Sequence, residues 1–142
     1  MGTLRTASEG CAVNISWAAP DDGGSPLSSY TIEVANRSES FFPLRATQCT
    51  TSVESTSCVV PMPVFQEAPY NLSEDDLITV RARASNALGD SVWSAPNTSG
   101  AVVVTAPPAL ASPVLADETP DSVTVSWTPL GTADYVYELE FD

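Results

Sequence analysis

The chain has 142 residues and a hydrophobic fraction of 43%, enough to build the core of one domain and to exclude wholesale disorder. Its charge is lopsided: 18 acidic residues stand against five arginines, with no lysine and no histidine, for a formal net charge of -13. A surface of that sign repels nucleic-acid backbones and anionic lipid headgroups, which leaves metal cations and basic partners as complementary ligands.

The N-terminal MGTLRTASEG lacks the basic start and apolar run of a secretion signal. No stretch approaches the ~18–20 consecutive apolar residues that cross a bilayer, so direct membrane insertion is not expected. The first clear element is a half-buried strand in which Val13, Ile15 and Trp17 alternate with Asn14 and Ser16. Turn formers follow in PDDGGSP, residues 20–26, and then Tyr30, Ile32 and Val34 alternate again. Cys49 and Cys58 flank the polar TTSVESTS, a segment suited to a hairpin loop, which nominates a disulfide across adjacent strands. Buried free thiols are the alternative, and Cys11 is left odd. Cys58-Val59-Val60, closed by Pro61 and Pro63, reads as an edge strand or a bend. The one helix-like stretch, VFQEAPYNLSEDD, is interrupted by Pro69. Ile78, Val80, Ala82 and Ala84 then alternate with polar residues, Asn86-Ala87-Leu88-Gly89 supplies a turn, and Val92-Trp93 begins another strand. A last apolar run at residues 101–105 leads into APPALASP, a short, stiff Pro-rich linker. About seven short strands with Gly, Pro and Asn between them predict an all-β protein, an antiparallel β-sandwich.

An internal repeat follows the linker. Val13-Asn14-Ile15-Ser16-Trp17 is echoed by Val123-Thr124-Val125-Ser126-Trp127, 110 positions on, with Pro20 and Pro129 close behind each Trp. Tyr30-x-Ile32-x-Val34 is echoed by Tyr137-x-Leu139-x-Phe141. The expected organisation is one domain over residues 1–105, a linker over 106–112 and an incomplete second copy over 113–142. Three strands leave unpaired edges, so the second copy is expected either to continue in a longer array or to be completed by another chain.

VNISWAAP, YTIEV, ITVRARASNALGD, VWSAP and the closing Thr105 match, in order and spacing, the strands of the fibronectin type III family. The chain resembles that family over roughly residues 3–105, and the opening recurs from about residue 113. The resemblance implies an immunoglobulin-like sandwich of about seven strands. Alternation and resemblance together nominate Val13, Ile15, Trp17, Tyr30, Ile32, Val34, Leu72, Ile78, Val80, Ala82 and Trp127 as core. One departure stands out: the family places a tyrosine six residues after a leucine, and here Leu72 is followed by Ile78. The corner hydroxyl is lost, and apolar burial must serve instead. The stretch between Phe41 and Asn71 is long for the family and implies an insertion or extended hairpin.

Four of the five asparagines open an Asn-x-Ser/Thr sequon: Asn14, Asn36, Asn71 and Asn97. With the nominated disulfide they point to an oxidising, secretory route and an extracellular or cell-surface location. Catalysis is poorly supplied, because lacking His and Lys removes the usual acid–base partner and the Schiff-base nucleophile. No catalytic or cofactor-binding residue is nominated. Glu74, Asp75, Asp76, Asp117 and Glu118 are the calcium candidates, although no Asp-x-Asp-x-Asp spacing supports them. Trp93-Ser94 resembles half of the Trp-Ser-x-Trp-Ser box of cytokine receptors, and the second half is missing. Leu88-Gly89-Asp90-Ser91 resembles an adhesion tripeptide whose arginine is replaced, and Gly89 is needed for the turn itself. The expectation is a non-enzymatic structural or adhesive repeat. Its partners are neighbouring domains of the same chain, identical chains in a filament, or other surface proteins. A ligand-binding receptor ectodomain and an accessory module of a secreted carbohydrate-active enzyme are the rivals.

Overall fold

Alternating burial builds the first strands. On β1 (Leu4–Glu9) Leu4 and Thr6 turn inward, and on β2 (Ala12–Trp17) Val13, Ile15 and Trp17 do the same. β3 (Leu27–Ala35) buries Tyr30, Ile32 and Val34. The computed structural model describes residues 4–49, 51–130 and 136–138. The chain divides into two compact units, Met1–Thr105 and Ala106–Asp142.

In the first unit β4 (Phe41–Pro43), β5 (Ser57–Pro61), a single helical turn α1 (Pro63–Gln66), β6 (Val80–Asn86) and β7 (Gly89–Asp90) follow. They form two antiparallel sheets, a three-stranded one in the order β1-β2-β5 and a four-stranded one in the order β4-β3-β6-β7. Their inner faces share one core, so this unit is an all-β, sandwich-like fold. Across β3 and β6 the register sets Tyr30 opposite Ala84, Ile32 opposite Ala82 and Val34 opposite Val80. Small residues on β6 thus leave room for the large ones on β3. Every core residue nominated in this unit is buried, joined by Val60, Met62, Phe65, Tyr70 and Val103.

Four expectations are corrected here. The Cys49–Cys58 disulfide is present, with Cα atoms 5.5 Å apart, but it does not cross a hairpin. Cys58 lies on β5, whose partner is β2, while Cys49 lies in the loop after β4 at the edge of the other sheet. The bond therefore staples the two sheets together within the crossover between them. The stretch read as helix-like forms only the turn Pro63–Gln66, which buries Phe65. Residues 101–105 join no named strand and meet the segment before β6 through the bridge Leu77↔Val102 and the hydrogen bonds of Ala101 and Val103. Val92-Trp93 begins no strand.

Ile78 is wholly buried and donates its N–H to the Ala101 carbonyl. A hydroxyl tie exists nonetheless, supplied from elsewhere. Tyr70, packed on Phe65 at 6.4 Å, donates its phenol O–H to the Pro43 carbonyl at 3.0 Å and pins the loop before β6 to β4.

Leu4 pairs with Trp17, whose ring packs edge-on against Tyr30 at 5.4 Å, on the Tyr30–Ala84 rung. Val103, by contrast, exchanges hydrogen bonds with Asp75 and Asp76, beyond the opposite end of β6. Between them the entering and departing segments touch, where Thr6 Oγ1 accepts the Ala101 N–H at 3.0 Å.

The second unit contains the hairpin β8 (Val114–Thr119) and β9 (Ser122–Ser126). Both strands begin 110 positions after β1 and β2. Their burial differs. Val13 is fully buried, whereas Val123 is 61% exposed, because no sheet opposes the hairpin among the described residues. Trp127, nominated as core, is accordingly only half-buried, with its ring 6.0 Å from that of Tyr137. Leu139 and Phe141, nominated with Tyr137 as a further strand, lie outside the described residues.

Candidate functional site

The outward residues of the four-stranded sheet make the most organised surface. Glu33 on β3 stands directly across from Arg81 on β6, and Nε and Nη2 of that arginine reach Glu33 Oε2 at 2.8 and 2.6 Å. The guanidinium is also sandwiched, 4.1 Å from the Phe41 ring centroid and 4.4 Å from that of Trp93. Trp93 in turn covers Arg83 at 4.7 Å. Four side chains thus stack as Phe41, Arg81, Trp93, Arg83 across β4, β6 and the segment after β7. Each cation–π contact is worth about 0.5–2 kcal/mol, more as water is excluded. Arg83 Nη1 completes the row with an ion pair to Asp90 Oδ2 at 2.7 Å, while its Nε is buried without a partner.

Trp93 is placed by an unusual edge. Along β6 the inward residues Ala84, Ala82 and Val80 donate their N–H groups to Ser91 Oγ, Ser94 Oγ and Asn97 Oδ1. Their carbonyls accept the N–H groups of the same three residues, at 2.8, 2.8 and 3.3 Å. Every third residue of the segment therefore meets every second residue of β6. Two strand residues span about 6.7 Å, so the segment rises only about 2.2 Å per residue, well short of extended chain. That winding is why Val92-Trp93 is no strand, and it carries Trp93 over the arginines. Sequence reading singled out Trp93-Ser94 without seeing this ladder. Its signal was present as polar acceptors at 91, 94 and 97 beside a strand with arginines at 81 and 83.

The other nominated residues fall as follows. Asp90 is doubly engaged, taking Arg83 on Oδ2 and the Ser85 hydroxyl on Oδ1 at 2.6 Å. Gly89 has φ +138°, and Leu88 is 84% exposed. The Leu-Gly-Asp-Ser stretch is a turn whose acid is spent internally. Among the described residues no three acids, cysteines or histidines gather as a metal site. Asp76 accepts the Ser73 N–H and pairs with Arg37 at 3.1 Å, and Glu74 and Asp75 are exposed beside it. Asp117 and Glu118 belong to β8, where Asp117 Oδ1 accepts the Glu118 N–H. Cys11 is free and exposed.

The four sequons divide. Asn14 lies mid-strand on β2, Asn36 at the β3–β4 turn and Asn71 in the loop before β6, with φ +51°. Asn97 is half-buried and its whole amide is engaged (the partners are given below). Asn36, Asn97, Phe41, Leu72 and Thr79 border an open cleft of about 630 Å³ at the end where the chain leaves the unit. Burial pushes the Tyr70 phenol above its ordinary pKa, opposed by the nearby Arg45 charge. Among the described residues no helix is long and apolar enough to cross a membrane.

The paired cations and stacked rings of this surface fasten the segment after β7 onto β6 and β4. A comparison with protein-family models finds no match, and a comparison with curated proteins finds none either.

Proposed function

We propose that the chain is a non-enzymatic structural or adhesive repeat module of an extracellular or cell-surface protein, built from fibronectin type III-like beads. The strand order β1-β2-β5 against β4-β3-β6-β7 supports the likeness. The observation that carries the reading is the recurrence of the opening hairpin, with β8 and β9 each starting 110 residues after β1 and β2. The Pro-rich residues 106–112 limit bending between beads. The cross-sheet disulfide and the arginine–aromatic stack stiffen each bead. The disulfide also favours an oxidising compartment. Of the 18 acidic residues seven follow residue 105, where no arginine stands, so neighbouring beads repel and stay soluble.

An antibody raised against residues 4–105 tests the reading. Immunogold label on the cell surface, and evenly spaced beads in electron micrographs of the captured native protein, are the expected results. Label confined to the cytosol would sink it. A ligand-binding ectodomain is the second reading, favoured by Leu88 and Val92, 84% and 83% exposed beside one turn. One-to-one binding of a soluble protein that Leu88→Asp abolishes would select it instead.

A further inference from the structure

We propose that the first unit carries N-linked glycans at Asn14, Asn36 and Asn71, and that Asn97, the fourth sequon, is a structural amide which the fold withholds from modification. The inference rests on the secretory reading above. Glycan transfer joins the asparagine Nδ2 to the anomeric carbon of a polyprenyl-diphosphate oligosaccharide. One N–H bond breaks, its proton departs, and the diphosphate leaves with the electron pair of the C–O bond. The acceptor therefore needs an Nδ2 that points to open solvent and has no essential partner.

Three sequons meet that requirement. Asn71 is exposed, in a left-handed turn conformation that asparagine tolerates. At Asn36 the side-chain Oδ1 accepts the N–H groups of Ser38 and Ser40 at 2.9 and 3.0 Å, which fixes the amide plane. Its Nδ2 has no acceptor among the described residues and is not among the buried unpaired atoms, so it faces solvent. Asn14 is turned the same way: its Oδ1 is the atom tucked in, on the outer face between Ala7 and Val59, which are both exposed.

Asn97 is the opposite case. Its Oδ1 accepts the Val80 N–H at 2.7 Å, and its Nδ2 donates to the Ile78 carbonyl, the Ser99 carbonyl and Thr6 Oγ1 at 3.0, 3.1 and 3.3 Å. Thr6 Oγ1 also accepts the Ala101 N–H at 3.0 Å. The amide thus clasps β1 to the start of β6 and to the chain's exit. A sugar on Nδ2 leaves one hydrogen for three acceptors and needs the space that Thr6 and Ile78 fill. A chain modified there cannot close the clasp.

The test is to secrete the 142-residue chain, with an added leader, from a eukaryotic host. The folded product is then deglycosylated in heavy-oxygen water, so that each occupied asparagine becomes a labelled aspartate. Label at Asn14, Asn36 and Asn71 with none at Asn97 is expected. Label at Asn97 in cooperatively melting protein, or none at one of the other three, overturns the proposal. A second pair of variants, Asn97→Ala and Ser99→Ala, destroys the same sequon. Only the first removes the clasp, so it alone should lower the melting temperature, on the order of 10 °C. Equal melting of the two variants overturns the structural role. Because the leader directs the recombinant chain, native protein bare at every sequon would sink the secretory reading without touching the result at Asn97.

Discussion

Reduction of the Cys49–Cys58 bond is expected to lower the stability of the first unit by about 2.6 kcal/mol. The cysteines are nine residues apart, and closing a loop of that length removes roughly 8.7 cal/mol/K from the unfolded chain, hence that figure at 25 °C. Both cysteines are buried, 5% and 9% exposed, and reduction removes no heavy atom, so the entropy of the freed loop is the main loss. A unit spanning Met1–Thr105 unfolds with an entropy of about 0.22 kcal/mol/K, which converts the loss to a fall in Tm of about 12 °C. Far-UV circular dichroism melts with and without a phosphine reductant measure it, with Cys11→Ser as a control that should melt like the parent. A shift below about 3 °C would refute the staple argument. So would a non-reducing peptide map that pairs Cys11 with either partner.

Trp93→Ala removes the ring between two guanidiniums and should cost about 2–3 kcal/mol in urea unfolding, while Trp93→Phe should retain most of the stability. A double-mutant cycle with Arg83→Ala should return a coupling of about 0.5 kcal/mol or more. Tyr70→Phe loses the bond to Pro43 and should cost about 1 kcal/mol near neutral pH. Because burial raises the folded-state phenol pKa, the Tyr70 contribution to stability should be full below about pH 10, the unfolded value, and be lost as pH rises beyond it. The Phe variant should lose that part of the alkaline slope. Gly100→Ala places a methyl 2.6 Å from the Thr6 carbonyl oxygen, and closer still to Thr6 Oγ1, at φ +135°. It should destabilise by about 3 kcal/mol, read from the denaturation midpoint. Ser91→Ala with Ser94→Ala strips the side-chain acceptors from the Ala84 and Ala82 N–H groups. Hydrogen exchange at those two amides should then accelerate by tenfold or more, on the order of 1.4 kcal/mol.

Period-two burial at Val13, Ile15 and Trp17, at Tyr30, Ile32 and Val34, and at Val80 and Ala82 made the inner faces of both sheets readable from the sequence. One face of each strand meets the core, and burial imposes alternation. The same logic misplaced Trp127, since an alternating hairpin shows which face is apolar and not whether anything covers it. TTSVESTS has turn composition whether it closes a hairpin or crosses between sheets, so the pairing of Cys49 with Cys58 was legible and its geometry was not. Ser91, Ser94 and Asn97 escaped for a deeper reason. A segment wound at three residues per strand repeat is polar, proline-containing and aperiodic to a strand template, so it looks like loop. Its conformation depends on acceptors that only β6 supplies. Asn97 was read as a sequon because a three-residue motif says nothing of where Nδ2 points.

The edges of the sandwich make sense of that winding. A strand edge left open invites another chain to add to it, and beads held at high local density meet each other constantly. On β4 the edge is three residues long, ends at Pro43 and is tied to the opposite sheet through the loop that carries Cys49. The β5 edge closes at Pro61. Beyond β6, the wound segment spends its regular hydrogen-bonding groups inward, carries Pro96, and advances too little per residue to register with an extended strand. Two sheet edges of this unit, at β4 and beyond β6, are thus blunted by different devices, and β5 is limited by its terminal proline. Of the four edges only β1 (Leu4–Glu9) carries no such device, so strand addition in the proposed array has one edge left to use. Asn97 belongs to this account, since its clasp is the last rung of the wound edge and the point where the chain is released toward the linker.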